Sequence, residues 1–130
     1  MKWLLPPGWP RPKGYANGIS ASGRTIFTAG VVGWDETETF VSNTLAGQFA
    51  QALRNIVAIL AEDDAGPEHI VRMTCYVTDI DAYRKGLADI GDAWKVIIGR
   101  HYPAMALVAV SALVEPKALV EIEATAVVPE

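Results

Sequence analysis

Two helical stripes of apolar residues separated by a strictly alternating segment leave this chain few ways to fold. Phe49, Ala52, Leu53, Ile56, Val57 and Leu60 recur at spacings of three and four, which marks one face of an amphipathic helix. The spacing predicts a helix over about Thr44 to Glu62, with Ser42 or Asn43 as N-cap and Gly66-Pro67 as the barrier beyond it. From Ile70 to Val77 the period drops to two. Val71, Met73, Cys75 and Val77 then face one way, and Arg72, Thr74, Tyr76 and Thr78 the other. A second stripe follows in Tyr83, Leu87, Ile90, Trp94 and Ile97, with Asp79 or Asp81 near its start and Gly99 as its stop. Each stripe must bury against a layer, and the alternating segments offer a sheet face. The reading is an α+β domain.

The remaining segments complete that sheet. Ile19 to Ser22 and Thr25 to Val32 flank Gly23-Arg24, which predicts a hairpin. Gly30 and Gly33 imply close backbone approach. Ala106 to Leu113 is almost wholly apolar, so both its faces are expected to be buried, one of them by another subunit. Leu119 to Val127 alternates again, with Val120, Ile122, Ala124 and Ala126 set against Glu121, Glu123 and Thr125. The predicted order is ββαβαββ, with two helices packed on one face. Four prolines between Pro6 and Lys13 make residues 1–14 an irregular arm, and 15–130 one domain.

Composition adds one expectation and removes several. Apolar residues make up 51% of the 130 positions, a high share for a small domain with much surface for its volume. The excess calls for a subunit interface, so an obligate oligomer is expected. A net charge of −4, with no basic stripe, argues against nucleic acid as a partner. The single cysteine, Cys75, fits a reducing cytoplasm. The opening Met1-Lys2-Trp3-Leu4-Leu5 is cut short by Pro6, Pro7 and Gly8, unlike a signal peptide. No run approaches the ~20 apolar residues of a membrane helix. A cytoplasmic protein without a membrane partner is expected.

Few residues signal chemistry by themselves. Glu121 and Glu123 share a strand face, and paired carboxylates can do acid–base work when burial pushes their pKa values apart. A solvated strand face is the plainer reading. His69 and His101 are far apart and form no zinc spacing, so no metal is expected. Cys75 falls on an apolar strand face, where a thiol behaves as a small hydrophobe. No serine sits in a nucleophile elbow, and the glycines form no phosphate loop. Trp34, Trp94 and Tyr76 could line a pocket, although packing is the commoner role of such rings. His101, before Tyr102-Pro103, is read as a surface or packing residue.

Ordered motifs carry more. Thr25-Ile-Phe-Thr-Ala-Gly30 is followed by Gln48-Phe-Ala-Gln-Ala-Leu-Arg-Asn-Ile-Val57. Ile70-Val-Arg-Met-Thr-Cys-Tyr-Val-Thr-Asp79, Tyr102-Pro-Ala104 and Val120-Glu-Ile-Glu-Ala-Thr-Ala-Val127 come next. In this order they resemble the Rid family of reactive-intermediate deaminases, from about Tyr15 to Pro129. The resemblance implies a chorismate-mutase-like fold with a mixed sheet. It also implies a homotrimer with small-molecule clefts between subunits, and hydrolysis of enamines and imines to oxo acids and ammonia without metal or organic cofactor. The family grips the substrate carboxylate with an arginine after Pro-Ala, a bidentate geometry that suits a guanidinium. A glutamate near the last strand handles the attacking water.

Residue by residue, the resemblance implies Glu121 as that glutamate, Gly30 as the cleft glycine and Tyr15 as the N-terminal aromatic. The arginine position falls on Met105, the cysteine position on Leu107, the serine position on Ala29, and the helix asparagine near Leu87. Four polar or reactive groups are thus apolar together. A thioether cannot donate to a carboxylate. Losing such a charged contact removes ~2–5 kcal/mol, roughly thirty- to several-thousand-fold in affinity. The expectation is an enamine or imine hydrolase whose substrate has an absent or masked carboxylate. The alternative is a non-catalytic binding or interaction module on the same fold. An endoribonuclease or translation-inhibitor role is a third reading, opposed by the acidic balance.

Overall fold

The computed structural model describes residues 1–130 as a five-stranded sheet with its helices gathered on a single face, and a separate two-stranded sheet. In chain order the elements are β1 (Lys2–Trp3), β2 (Ile19–Ser20), β3 (Arg24–Phe27), β4 (Val31–Val32) and α1 (Leu45–Ala61). A 3-10 turn (Pro67–His69) leads into β5 (Ile70–Val77), α2 (Ile80–Lys85), α3 (Leu87–Ile97), β6 (Ala104–Ala109) and β7 (Val120–Val128). The main sheet runs β3-β7-β5-β6, with β4 also paired to β7. Only β5 and β6 are parallel, so the sheet is mixed, as the resemblance implies.

The two stripes do what their periods require. Leu53, Ile56 and Leu60 of α1 are wholly buried against Met73, Cys75 and Val77 of β5 and Val120, Ile122 and Ala126 of β7. Ile90 and Trp94 of α3 close the same core. Each large side chain removed from water there contributes about 1.5–3 kcal/mol.

Local signals explain most departures. The N-cap of α1 is Thr44, whose hydroxyl accepts from the Gly47 amide at 3.1 Å. Ser42, an expected cap, instead supports Thr44 by accepting its amide. Asp79 caps α2 by accepting the Asp81 and Ala82 amides, but the helix breaks at Gly86, so the second stripe is two helices rather than one. Gly99 ends α3 with φ +91, a left-handed conformation glycine adopts at no steric cost. Val71 does not face the core. The β5–β7 register slips between Ile70 and Arg72, so Val71 is the extra residue of a bulge, and Ile70 and Met73 are the buried pair around it.

The hairpin around Gly23-Arg24 does not form: Ile19–Ser20 pairs with Lys2–Trp3, while Arg24–Phe27 joins β7. The arm of residues 1–14 is accordingly not wholly irregular, because it contains β1. The last apolar segment is strand over Ala104–Ala109 rather than 106–113, and Ala106, Val108 and Ala109 are exposed in this chain.

The arm has a positioning role. Trp3 Nε1 donates to the Tyr102 carbonyl, the Ala16 amide donates to the Pro103 carbonyl, and Ala16 bridges Ala104 in parallel. The segment that leads out of the arm therefore lies along the free edge of β6, which an uncovered edge strand needs. That contact places Tyr15 beside Met105.

Candidate functional site

A cavity of about 430 Å³ opens between the helix layer and the β6 edge. Such a volume suits a small organic ligand. From α3 it takes Leu87, Ile90, Gly91, Trp94 and Lys95, which share one helical face by spacing. Phe49 comes from α1 and Tyr83 from α2. Met105 and Leu107 come from β6, Tyr102 precedes that strand, and Lys13, Gly14 and Tyr15 arrive from the arm. Met105 and Leu107 pair in register with Met73 and Cys75, whose side chains enter the core. They therefore turn to the helix side of the sheet and form an apolar wall. Trp94 is fixed by stacking on Tyr102, with centroids 6.2 Å apart, and by donating Nε1 to the His101 carbonyl.

Four of the six residues singled out from sequence meet here: Tyr15, Leu87, Met105 and Leu107. Leu87 is 50% exposed although it belongs to an apolar stripe, so it borders the opening rather than the core.

The other two lie together elsewhere. Glu121 is on the sheet face away from the helices, between the core residues Val120 and Ile122. Gly30 lies against its carboxylate: a Cβ at position 30 would come within 2.5 Å of Glu121 Oε2. The absence of a side chain at Gly30 is what lets the carboxylate lie there. Within one chain, then, Glu121 and Met105 face opposite sides of one sheet.

Register explains a partner of the carboxylate pair that spacing alone does not reveal. Tyr76 pairs with Glu121 and Thr74 with Glu123 across β5 and β7. The Tyr76 hydroxyl donates to Glu123 Oε1 at 2.9 Å. That bond holds the phenol proton and pushes the Tyr76 pKa up. Glu123 is thus tied to a tyrosine, whereas Glu121 lies against the glycine.

The remaining candidates are structural. Cys75 is buried and its thiol is pushed up to about 12 by desolvation, so it supplies no thiolate near neutral pH. His101 Nε2 is 2.6 Å from the Ile70 carbonyl, and the ring meets the edge of Trp3. Trp34 packs on Phe40, and its carbonyl accepts from Asn55. No group of three or more His, Cys, Asp or Glu side chains is placed to hold a metal ion. No helix is long and apolar enough to cross a membrane.

Comparison with known proteins places this geometry in a family. The model of the family described as endoribonuclease L-PSP matches residues 10–128. A RutC family protein of Pyrococcus abyssi is 34% identical over 120 residues, covering 90% of this chain and 89% of the relative. The chain belongs to the Rid family. Among solved structures, a member of the conserved Rid protein family from Yersinia pestis superposes with a TM-score of 0.85 at 30% identity, over 98% of both chains. A member of the YjgF/YER057c/UK114 family from Mycobacterium tuberculosis gives 0.67 at 33% identity, over 88% of this chain and 87% of that one. The Rid fold is chorismate-mutase-like, and the α+β reading of the sequence holds.

Proposed function

We propose that this Rid-family chain hydrolyses a reactive enamine or imine whose reacting carbon bears no free carboxylate. The observation that carries the reading is the apolar wall of Met105 and Leu107, in a cavity without a guanidinium. By resemblance, the family's carboxylate-gripping arginine corresponds to Met105. A substrate with its acid absent or masked loses nothing at a thioether, whereas a free 2-imino acid loses its principal contact.

The reaction needs Glu121, which faces away from that cavity in its own chain. A homotrimer with clefts between subunits, as the family resemblance implies, would let Glu121 and Gly30 of one copy complete the cavity of the next. In that arrangement Glu121 takes a proton from water as the oxygen attacks the C=N carbon. The nitrogen is protonated, the carbinolamine collapses, and a carbonyl compound and ammonia leave. Nothing in this sequence calls on a metal or an organic cofactor. The exposed apolar residues of the glutamate face support a covering partner: Phe27 is 74% exposed there and Val108 stands out from β6. The ribonuclease activity in the family model's description fits less well, because a chain of net charge −4 presents little to a phosphate backbone.

Ammonia release from the N-acetylcysteamine thioester of 3-aminocrotonic acid tests the reading. The expected result is catalysis that falls about a hundredfold or more in Glu121→Ala, as for loss of a positioned acid–base group. No release, or release indifferent to Glu121, would leave a binding module as the better account.

A further inference from the structure

The cavity carries a charge pattern that its apolar wall conceals. Of its thirteen lining residues, the only charged ones are Lys13 and Lys95, and none is Asp or Glu. In a chain with 15 acidic and 11 basic residues, that local sign is opposite to the whole. Both lysines are exposed, and neither takes part in any of the three ion pairs of the fold. Asp92 stands one turn before Lys95 on α3, yet no ion pair joins them. Within one chain, two ammonium groups without an ion-pair partner therefore line the cavity from separate elements, one from the arm and one from a helix.

The apolar wall of the same cavity is shaped to admit a body. Leu87, Gly91 and Lys95 follow one another at spacings of four along α3, so they lie in one row. At the middle of that row a Cβ would meet no atom within 4 Å. Glycine inside a helix is less favourable than alanine, and here it leaves open space beside the apolar residues.

We infer that the cavity takes an amphipathic anion, with an aliphatic or aromatic body along Gly91, Met105 and Leu107 and its acidic group held by Lys13 and Lys95. This rests on the cavity being the ligand site of the proposed function, and it deepens that reading. An acidic group is thus part of the ligand class.

Two dyes with one body separate the claims. 8-Anilinonaphthalene-1-sulfonate carries a sulfonate, and N-phenyl-1-naphthylamine is its neutral counterpart. Binding of each is followed by fluorescence in the wild type, in Lys13→Gln/Lys95→Gln and in Gly91→Leu, with folding checked by circular dichroism. The expected result is that the lysine double variant weakens the sulfonate dye about three- to tenfold, the range for two exposed ion pairs. It leaves the neutral dye unchanged, and the wild type loses its preference as salt rises. Gly91→Leu, which fills the space, weakens both. If Gly91→Leu weakens both dyes but the lysine variant weakens neither, the anion-binding role is overturned while the cavity stands as a ligand site. If Gly91→Leu affects neither dye, the cavity is not the ligand site, and both this inference and the proposed function lose their basis.

Discussion

Gln48 offers a perturbation whose size can be worked from the structure. It is 1% exposed, and it is the only buried polar residue of the chain. Its Nε2 donates to the Ser42 carbonyl at 3.1 Å and to the Lys117 carbonyl at 3.0 Å, while Oε1 accepts the Leu119 amide at 2.7 Å. The residue therefore ties the start of α1 to the turn that delivers β7, two positions before Glu121. Gln48→Leu keeps the bulk and removes all three bonds. At about 0.5–1.5 kcal/mol each, with three backbone groups left unpaired, the loss is about 2–4 kcal/mol. For a domain of this size that lowers Tm by roughly 10 °C. The assay is urea unfolding at fixed protein concentration, since an oligomer's apparent stability depends on it. Gln48→Glu supplies a control: ionised, it accepts from Leu119 but opposes two carbonyls, and protonated it can donate to one. Its deficit is expected to shrink as the pH falls toward 5. A Gln48→Leu protein within about 0.5 kcal/mol of wild type would show that these three bonds do not stabilise the fold.

Other outcomes follow from single groups. Cys75, with its thiol pushed up to about 12, is expected to resist iodoacetamide at pH 8 in the folded protein and to react in denaturant; rapid labelling of the native state would contradict its burial. Burial raises the Tyr83 pKa, and the Glu123 hydrogen bond raises that of Tyr76, so the folded chain holds these phenol protons more tightly than the unfolded chain does. Their stabilising contribution is complete below pH ~10, the unfolded value, and is lost as pH rises through the folded values. Absorbance at 295 nm should show native tyrosinate forming later than in urea, and coincident titrations would exclude the effect. Thr44→Ala removes the hydroxyl that caps α1. It should cost ~1 kcal/mol, with Thr44→Ser close to neutral in the same unfolding assay.

The parts of this fold written in the sequence are those with a period. The stripe from Phe49 to Leu60 and the alternations before Val77 and Val127 each specify which face is buried. The parts not written there depend on partners distant in sequence. Ile19 and Ser20 look like half of a hairpin, yet they pair with Lys2 and Trp3, whose prolines immediately downstream conceal a strand. The bulge at Val71 is set by β7, and the break at Gly86 interrupts a stripe whose apolar spacing continues across it. The site divides in the same way. Tyr15, Leu87, Met105 and Leu107 come together because the arm follows β6, which no spacing reveals. Lys13 and Lys95 carry no sequence signal as exposed lysines, although Lys95 falls in the Leu87–Gly91 row. The Tyr76–Glu123 bond needs the strand register.

Hydrolysis of 2-iminobutanoate, generated in situ and followed by its loss, shows whether position 105 excludes a free carboxylate. A rate near background is expected for the native protein, with a gain of about tenfold or more in Met105→Arg, part of what a charged contact to the carboxylate supplies. Efficient turnover by the native protein, with Met105→Arg giving no improvement, would contradict that exclusion.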